Sequence, residues 1–321
     1  MKAMVQDTYG SAEVLELRDI DKPEIGEDEV LIRVRAAGVN PADWAVMSGL
    51  PYIARPVYGM RKPKNPVRGT DVAGQVEAVG ASVTRFSPGD EVFGWSVGAY
   101  AEYAVSDGTL ALKPANLTFE QAASVPMAGL VALQALRDHG NVQAGQTVLI
   151  NGASGGIGTF AVQIAKSLGA QVTGVCSTRN MDLVRSIGAD HVIDYTVEDF
   201  TRSGQRYDFI LDNVANHSLS DLRRAVTPTG ALVPNGGGFD NRWFASGGRV
   251  IRANVLKRST DHRLRPFLLS PKLADLVVLK ELIEAGKVSP VMDRTYQLTE
   301  APQAIAHVGE GHARGKVAIT V

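Results

Sequence analysis

From residue 146 onward, short apolar runs alternate with amphipathic stretches. Val148–Ile150 is an apolar run typical of a buried parallel strand, and apolar residues recur at helical spacing from Phe160 to Leu168. The alternation predicts strands near 147–151, 171–176, 190–194, 208–212 and 230–235, with helices at 156–168, 180–187, 196–202 and 218–226. Strands that alternate with helices predict a doubly wound parallel sheet of the α/β class.

The first 110 residues follow a different pattern of short β segments joined by polar turns. Residues 30–36 and 71–80 read as strands, the second alternating with a period near two. We therefore expect an antiparallel, barrel-like first domain. Thr118 and Gln121 have the spacing of a capping box, and Pro271 precedes an amphipathic stretch that ends at Gly286. The end of the chain, 317–321, returns to a β pattern.

Gly152–Gly158 forms a glycine-rich turn between the predicted strand and helix at 147–168. Glycines permit a tight turn and let the backbone approach a pyrophosphate, while the helix N-terminus offers unpaired N–H groups to the anion. A second predicted strand follows at the spacing of a dinucleotide-binding fold. Ser154 lies in this turn, where its hydroxyl is best read as a phosphate ligand. The pattern predicts dinucleotide binding.

Composition and charge narrow the choice of partners. The chain has 321 residues, 45% of them hydrophobic, and a formal net charge of −1, which fits about two soluble domains. No block of Lys and Arg dominates, which argues against nucleic acid as the main partner. Cys176 is the one cysteine, so neither disulfides nor a zinc site of several thiolates is expected. No apolar run is long enough for an integral membrane segment, and no signal core is visible, so we expect a cytoplasmic protein.

Two segments are rich in basic residues. Residues 51–68 combine four prolines with several Arg and Lys side chains, and could be simply solvated or could cover a site. Residues 242–265 hold seven basic residues against Asp261. A solvated excursion and a weak electrostatic patch for phosphate or an anionic membrane both remain open for this second segment.

The end of the second strand usually decides which nicotinamide cofactor is bound. An acid at this position binds the ribose 2′-OH of NAD, and a nearby Arg accommodates the 2′-phosphate of NADP. This chain has Ser177, Thr178 and Arg179 there, without a carboxylate. Hydroxyl and guanidinium groups suit a phosphate, which predicts NADPH as the cofactor. In the alternative reading, Arg179 and Asn180 merely begin the next helix.

Several motifs together carry a family resemblance over the whole chain. They are Ala36–Asp43, Gly69–Gly74, Pro88–Gly94, Gly152–Gly158, Gly188–Tyr195 and Gly315-Lys316. With them the chain resembles the medium-chain dehydrogenase/reductases, and within these the zinc-free quinone oxidoreductase and enone reductase branch. The resemblance implies a GroES-like β-barrel catalytic domain split over 1–122 and 271–321. It also implies a Rossmann domain over 123–270, and a homodimer.

The chain departs from the zinc alcohol dehydrogenases at their metal ligands. It has Asn40 in place of a Cys ligand and Gly69-Thr70-Asp71 in place of Gly-His-Glu, and it lacks the four-cysteine zinc lobe. We therefore expect no metal. Without zinc to polarise an alcohol, the expected reaction is hydride transfer from NADPH to an electrophilic small-molecule acceptor, a quinone or an α,β-unsaturated ketone or aldehyde.

The resemblance also implies site residues. Asn40 and Tyr52 are the catalytic candidates, although Asn40 could be a turn residue and Tyr52 a packing residue. The implied cofactor contacts are Ser154, Gly155, Gly156, Ile157, Ser177, Arg179, Tyr195, Asn213, Gly236, Gly237, His312 and Arg314. Two other functions stay open: a reductase of a dedicated metabolite such as an enoyl thioester, and a regulatory or structural NADPH-binding protein.

Overall fold

The computed structural model describes residues 1–235 and 263–321, which divide into two compact units. The first unit comprises Met1–Leu130, Pro271–Gly286 and Pro290–Val321. The second comprises Val131–Ser270, of which 236–262 are not described, and Lys287–Ser289. Each unit has its own sheet, as the change of hydrophobic pattern along the sequence predicts.

The described strands, in chain order, are β1 Lys2–Val5, β2 Glu16–Asp19, β3 Val30–Val39, β4 Asp71–Val79, β5 Glu91–Trp95, β6 Tyr103–Ser106, β7 Leu110–Leu112, β8 Thr147–Asn151, β9 Gln171–Cys176, β10 His191–Asp194, β11 Tyr207–Asp212, β12 Val226–Pro234, β13 Met292–Gln297 and β14 Lys316–Thr320. The described α-helices are α1 Pro41–Ser48, α2 Arg55–Tyr58, α3 Phe119–Ala123, α4 Pro126–Leu133, α5 Gly156–Ser167, α6 Met181–Ser186, α7 Leu219–Arg224, α8 Leu273–Glu284 and α9 Ala301–Gly309.

The main sheet of the first unit has the strand order β13-β14-β3-β4-β5-β7, with β6 also paired to β3. β13 and β14 are parallel, and the other neighbours are antiparallel. The C-terminal strand β14 pairs with β3, placing Val317 opposite Val39. This register brings Lys316, from the end of the chain, close to Asn40, which follows β3. Inward-facing Val and Ile side chains of these strands form the buried core.

The second unit is built on a five-stranded parallel sheet with the order β10-β9-β8-β11-β12. In chain order this is 3-2-1-4-5, the arrangement of dinucleotide-binding folds. Four of the five strands lie within two residues of their predicted bounds. The fifth, β12, begins at Val226 and not near 230. The predicted fold class, a doubly wound parallel sheet with a GroES-like domain, is confirmed.

One predicted helix is wrong. The segment 196–202 contains only a short 3₁₀ turn, Phe200–Arg202, and Thr196 caps no helix. The Thr196 hydroxyl donates to Asp194 (2.7 Å), and the Asp199 carboxylate accepts from the backbone N–H of Thr201 (2.9 Å). Local side-chain acceptors therefore replace the helical hydrogen bonds that the pattern predicts.

The ends of other helices follow the sequence signals. Thr118 and Gln121 form the expected capping box before α3, and α4 begins at Pro126. Helix α8 begins at Leu273, two residues after Pro271, and Gly286 follows its end in a left-handed conformation (φ 68°). Of the basic segment 242–265, only 263–265 lie within the described residues, where Leu264 bridges to Leu232 at the edge of β12. The role predicted for the rest of that segment falls outside the described residues.

Candidate active site

The glycine turn between β8 and α5 contains glycines that serve two different purposes. Gly152 has a left-handed backbone (φ 78°), and a Cβ at Gly158 would lie 2.1 Å from the Gly152 carbonyl oxygen. The turn itself therefore requires both of these residues to be glycine. Around Gly155, by contrast, a Cβ would meet only that same carbonyl oxygen, at 3.5 Å. The fold leaves space beside Gly155, where a pyrophosphate would need to approach the N-terminus of α5.

Asn180 connects two of the predicted cofactor residues. Its buried side-chain amide donates to the Ser154 hydroxyl (3.0 Å) and lies 3.3 Å from the Ser177 hydroxyl. The Oδ1 atom of Asn180 is buried and accepts no hydrogen bond within the described residues. The sequence pattern predicted for Asn180 only that it begins a helix. It could not show the contact with both serines, because the register of the strands, and not the spacing in the sequence, brings Ser154 and Ser177 together.

The predicted NADPH-specificity segment forms a 3₁₀ turn, Thr178–Asn180, directly after β9, with Arg179 exposed at its centre. The parallel pairing of β9 and β10 places Asp194 opposite Cys176, and the Thr178 hydroxyl donates to the Asp194 carboxylate (2.5 Å). Hydrogen bonds from the Thr178 and Thr196 hydroxyls lower the pKa of Asp194 below its ordinary value. The turn therefore has an ionised carboxylate beside it, which the sequence analysis missed and which the strand register reveals.

The carboxyl ends of three neighbouring strands each carry an asparagine. The Asn213 backbone N–H donates to the Asn151 carbonyl (3.2 Å), and its side-chain oxygen accepts from the Asn235 amide (2.8 Å). Asn213 Nδ2 is buried without an acceptor in the described part of the chain. Asn213 thus lies at the sheet edge where parallel folds bind nucleotides. Gly236 and Gly237, also predicted there, lie outside the described residues.

Other predicted cofactor residues are distributed over both units. Gly156 and Ile157 begin α5, and Tyr195 is exposed after β10, where its N–H donates to the Cys176 carbonyl (3.1 Å). His312 and Arg314 belong to the first unit, on the exposed turn before β14. The Arg314 backbone N–H donates to Asp293 (3.2 Å), so this turn is held to β13.

In the first unit, Asn40 is the centre of a buried polar cluster. Asn40 is 2% exposed, directly before α1, and both ends of its side-chain amide are hydrogen-bonded. Its Nδ2 donates to Asp71 Oδ2 (3.0 Å), and its Oδ1 accepts from Lys316 Nζ (2.5 Å). Its backbone N–H donates to Asp43 Oδ2 (2.8 Å). The orientation of the Asn40 amide is therefore determined by a cation on one side and a carboxylate on the other.

Burial shifts the pKa values of the charged groups in this cluster. Desolvation raises the pKa of Asp43 to about 6, opposed by the hydrogen bond from the Asn40 backbone. Desolvation also raises the pKa of Asp71 to about 6, opposed by the charge of Lys316. Burial lowers the pKa of Lys316, and the two carboxylates oppose that shift. Asp71 Oδ1 has no partner among the described residues, so one buried acceptor stays available in the cluster.

Tyr52, the second catalytic candidate, lies on the 3₁₀ turn Tyr52–Ala54 of the first unit. The Arg55 guanidinium lies 4.6 Å from the Tyr52 ring centre and 4.8 Å from that of Tyr9, so the ring takes part in a cation–π stack. The catalytic role that the resemblance implies for Tyr52 stays a prediction.

Comparison with known proteins identifies the family. Residues 26–116 match the alcohol dehydrogenase GroES-like domain, and residues 187–319 match the family described as zinc-binding dehydrogenase. A mouse protein, mitochondrial NAD(P)H oxidoreductase RTN4IP1, is 38% identical over 357 residues, which cover 100% of this chain and 89% of that protein. The chain belongs to the medium-chain dehydrogenase/reductase family, in its quinone oxidoreductase branch. The resemblance drawn from the sequence motifs is confirmed.

Two further relatives and one solved structure support the same branch. The chloroplast envelope quinone oxidoreductase homolog of Arabidopsis thaliana is 33% identical, covering 99% of this chain and 98% of that protein. The 2-methylene-furan-3-one reductase of Solanum lycopersicum is 32% identical, with coverages of 99% and 79%. The structure of the quinone oxidoreductase from Coxiella burnetii superposes with a TM-score of 0.86 at 32% identity, covering 100% of this chain and 99% of that chain.

These relatives correct one prediction. RTN4IP1 is named a mitochondrial protein, and the Arabidopsis relative is named for the chloroplast envelope. The cytoplasmic location expected from the N-terminal sequence is wrong by this comparison, since a missing apolar signal core excludes only a secretory signal. No helix among the described residues is both long enough and apolar enough to cross a membrane.

Proposed function

We propose that this protein is an NADPH-dependent reductase of electrophilic acceptors, quinones or α,β-unsaturated carbonyl compounds, and that zinc takes no part in its reaction. The names of the relatives supply the reaction class: NAD(P)H oxidoreductase, quinone oxidoreductase homolog and furanone reductase. The observation that carries the zinc-free part of the proposal is the Asn40 cluster, where an ammonium group lies 2.5 Å from the Asn40 side chain.

The donors of this cluster are poorly suited to zinc. Zinc in such enzymes prefers thiolate and imidazole ligands, whereas the predicted ligand positions hold the amide of Asn40 and the hydroxyl of Thr70. The Lys316 ammonium already provides a positive charge beside Asn40, and it would repel a second cation. Among the described residues, no group of three His, Cys, Asp or Glu side chains could hold a metal ion.

The second unit supplies most of the residues that would hold NADPH. The space beside Gly155 and the N-terminus of α5 suit the pyrophosphate, and the hydroxyls of Ser154 and Ser177 lie on either side of Asn180. Arg179 offers its guanidinium to the 2′-phosphate. Bound NADPH supplies the hydride that the acceptor receives.

Asn40 is the residue that we assign to the acceptor. A side-chain amide has two N–H donors, and the bond to Asp71 uses one of them. The second N–H can donate to the carbonyl oxygen of an enone or quinone as negative charge develops there during hydride transfer. Lys316 and Asp71 keep the amide from rotating, so the donor is in place before the acceptor binds.

The resemblance also implies a homodimer, which sedimentation equilibrium would test.

The first experiment follows NADPH absorbance with a simple enone and with a benzoquinone, each with and without a metal chelator. A saturated alcohol with NADP is the control substrate, and Asn40→Leu is the variant that tests the role of Asn40. We expect acceptor-dependent oxidation that survives the chelator and falls at least about tenfold in Asn40→Leu. Alcohol oxidation that the chelator abolishes would contradict the zinc-free proposal. NADPH binding without turnover of any acceptor, thioesters included, would favour a regulatory role.

A further inference from the structure

A stretch of the first unit between two buried aspartates contains no acidic residue. Residues 44–70 hold five basic side chains, Arg55, Arg61, Lys62, Lys64 and Arg68, and neither Asp nor Glu. Arg68 is buried, and Arg55 is part of the stack with two tyrosines. The other three basic residues are exposed. The chain as a whole has a net charge of −1, so this segment is a local concentration of positive charge.

Hydrogen bonds from Tyr9 and hydrogen bonds within the segment itself hold it in one shape. Arg55 donates to the Gly49 carbonyl (3.0 Å), and the Tyr9 hydroxyl donates to the Gly59 carbonyl (2.6 Å). Beyond Gly59 the chain folds back on α2, because the Lys64 backbone N–H donates to the Tyr58 carbonyl (2.8 Å). The Lys64 ammonium lies 3.2 Å from the Pro56 carbonyl oxygen. These contacts therefore give the outer side of the segment a defined shape.

That outer side exposes large apolar side chains next to the cations. Ile53, Val57 and Met60 are 49%, 69% and 67% exposed. Ile53 and Val57 are four residues apart in a continuous helical backbone, so they lie on one face. Among the described residues, no carboxylate forms an ion pair with Arg61 or Lys62. We call the set Ile53, Val57, Met60, Arg61, Lys62 and Lys64 the 53–64 surface.

We propose that the 53–64 surface docks the protein on a bilayer that contains anionic phospholipids. Apolar side chains at the level of the headgroups, beside Lys and Arg that attract lipid phosphates, are the two components of peripheral membrane binding. The cores of protein interfaces, by contrast, are depleted of lysine, and three side chains supply far less than the roughly 800 Å² that each partner of a stable complex buries. The proposal does not depend on the reaction, because vesicle binding needs no turnover.

The test is co-sedimentation of the full chain with phosphatidylcholine vesicles, with and without phosphatidylglycerol. We expect binding only to the anionic vesicles, with release at high salt. Each cation near an anionic surface contributes about fivefold to the partition coefficient, so Arg61→Gln with Lys62→Gln lowers it by roughly 25-fold. Ile53→Ser with Val57→Ser and Met60→Ser weakens binding at constant charge. Sodium phosphate and sodium chloride of equal ionic strength release the protein equally.

Control variants change exposed residues elsewhere: Arg206→Gln with Lys287→Gln for charge, and Val197→Ser with Leu268→Ser for apolar surface. These variants should bind vesicles as the unchanged protein does, and NADPH titration of every variant checks that it is folded. Equal binding to neutral vesicles, or unchanged binding of the 53–64 variants, would overturn the proposal. A raised KM for a water-soluble acceptor with unchanged vesicle binding would instead assign the surface to the substrate.

Discussion

At the scale of single residues, Lys316 and Asn40 form the pair on which the proposed site depends. Lys316 is 3% exposed, and its ammonium contacts the Asn40 amide oxygen and lies 3.2 Å from the Val39 carbonyl. A buried ammonium is costly unless acceptors and counter-charges surround it, and here Asp71 and Asp43 supply the charge. The sequence motif singled out Lys316 only as a family landmark. The β14–β3 register is what makes it a positioning residue for Asn40.

Replacing Lys316 by Met should lower kcat for enone reduction by about tenfold to a hundredfold, because the Asn40 amide loses the partner that fixes its oxygen. The dissociation constant for NADPH should not change, since the proposed phosphate contacts belong to the second unit. Lys316→Gln keeps a donor toward Asn40 without the charge and should recover part of kcat. The matched control is Lys166→Met, which removes a more exposed lysine paired with Asp190. Unchanged kcat in a folded Lys316→Met protein would refute the positioning role.

At the scale of elements, the unit β8–turn–α5–β9, together with the turn that follows β9, contains half of the predicted cofactor residues. The glycine spacing and the flanking strand and helix patterns together predicted this unit, because a strand, a tight turn and a helix N-terminus are all local features. The cross-connections are not local. Asn180 links Ser154 to Ser177, and Asp194 lies beside Thr178, through the packing of β8, β9 and β10.

Arg179→Ala tests the specificity assigned to the turn after β9. A charge-assisted hydrogen bond contributes about 1.5–3 kcal/mol, so the dissociation constant for NADPH should rise by roughly tenfold to a hundredfold. The constant for NADH should change less than about twofold, because NADH lacks the 2′-phosphate. Fluorescence titration with both cofactors measures this, with Arg185→Ala on α6 as the control for lost surface charge. An equal rise in the dissociation constants for NADPH and NADH would show that Arg179 does not bind the 2′-phosphate.

At the scale of the whole molecule, the buried acids of the Asn40 cluster couple folding to pH. The pKa of Asp43 is about 6 in the folded protein, against an ordinary value of 3.8. Between these values the folded protein keeps a proton that the unfolded chain has released. Raising the pH through this window therefore lowers the free energy of unfolding, and the loss is complete above about pH 6.

Asp43→Asn removes this contribution while keeping an acceptor for the Asn40 backbone. We expect the variant to gain stability relative to the unchanged protein as the pH rises from about 4 to about 6, and to keep that difference above. Urea unfolding across this range measures it. Asp182→Asn, an exposed acid on α6, is the control and should show no such trend. A stability difference that does not vary with pH would contradict the raised pKa.

The sequence by itself determined the fold class, the family and the cofactor-binding turn. Parallel strands buried on both faces require continuous apolar runs, and the turn requires glycines at particular steps, so both leave a pattern in the amino-acid order. The pattern failed at 196–202, where the side chains of Asp194 and Asp199 compete with helical hydrogen bonds. It also failed for the cellular location, which the chemistry of the folded chain does not determine.

Only the tertiary structure decided how the candidate residues are held. Along the chain, Asp71 is 31 residues from Asn40 and Lys316 is 276 residues from it. Strand register alone brings the three residues together. Burial then shifts their pKa values, because desolvation raises the pKa of the acid Asp71 and lowers that of Lys316. Neither register nor burial is a local property of the sequence. The same holds for the 53–64 surface, whose apolar side chains remain exposed because Arg55, Tyr9 and Gly59 hold the other side of the segment against the first unit.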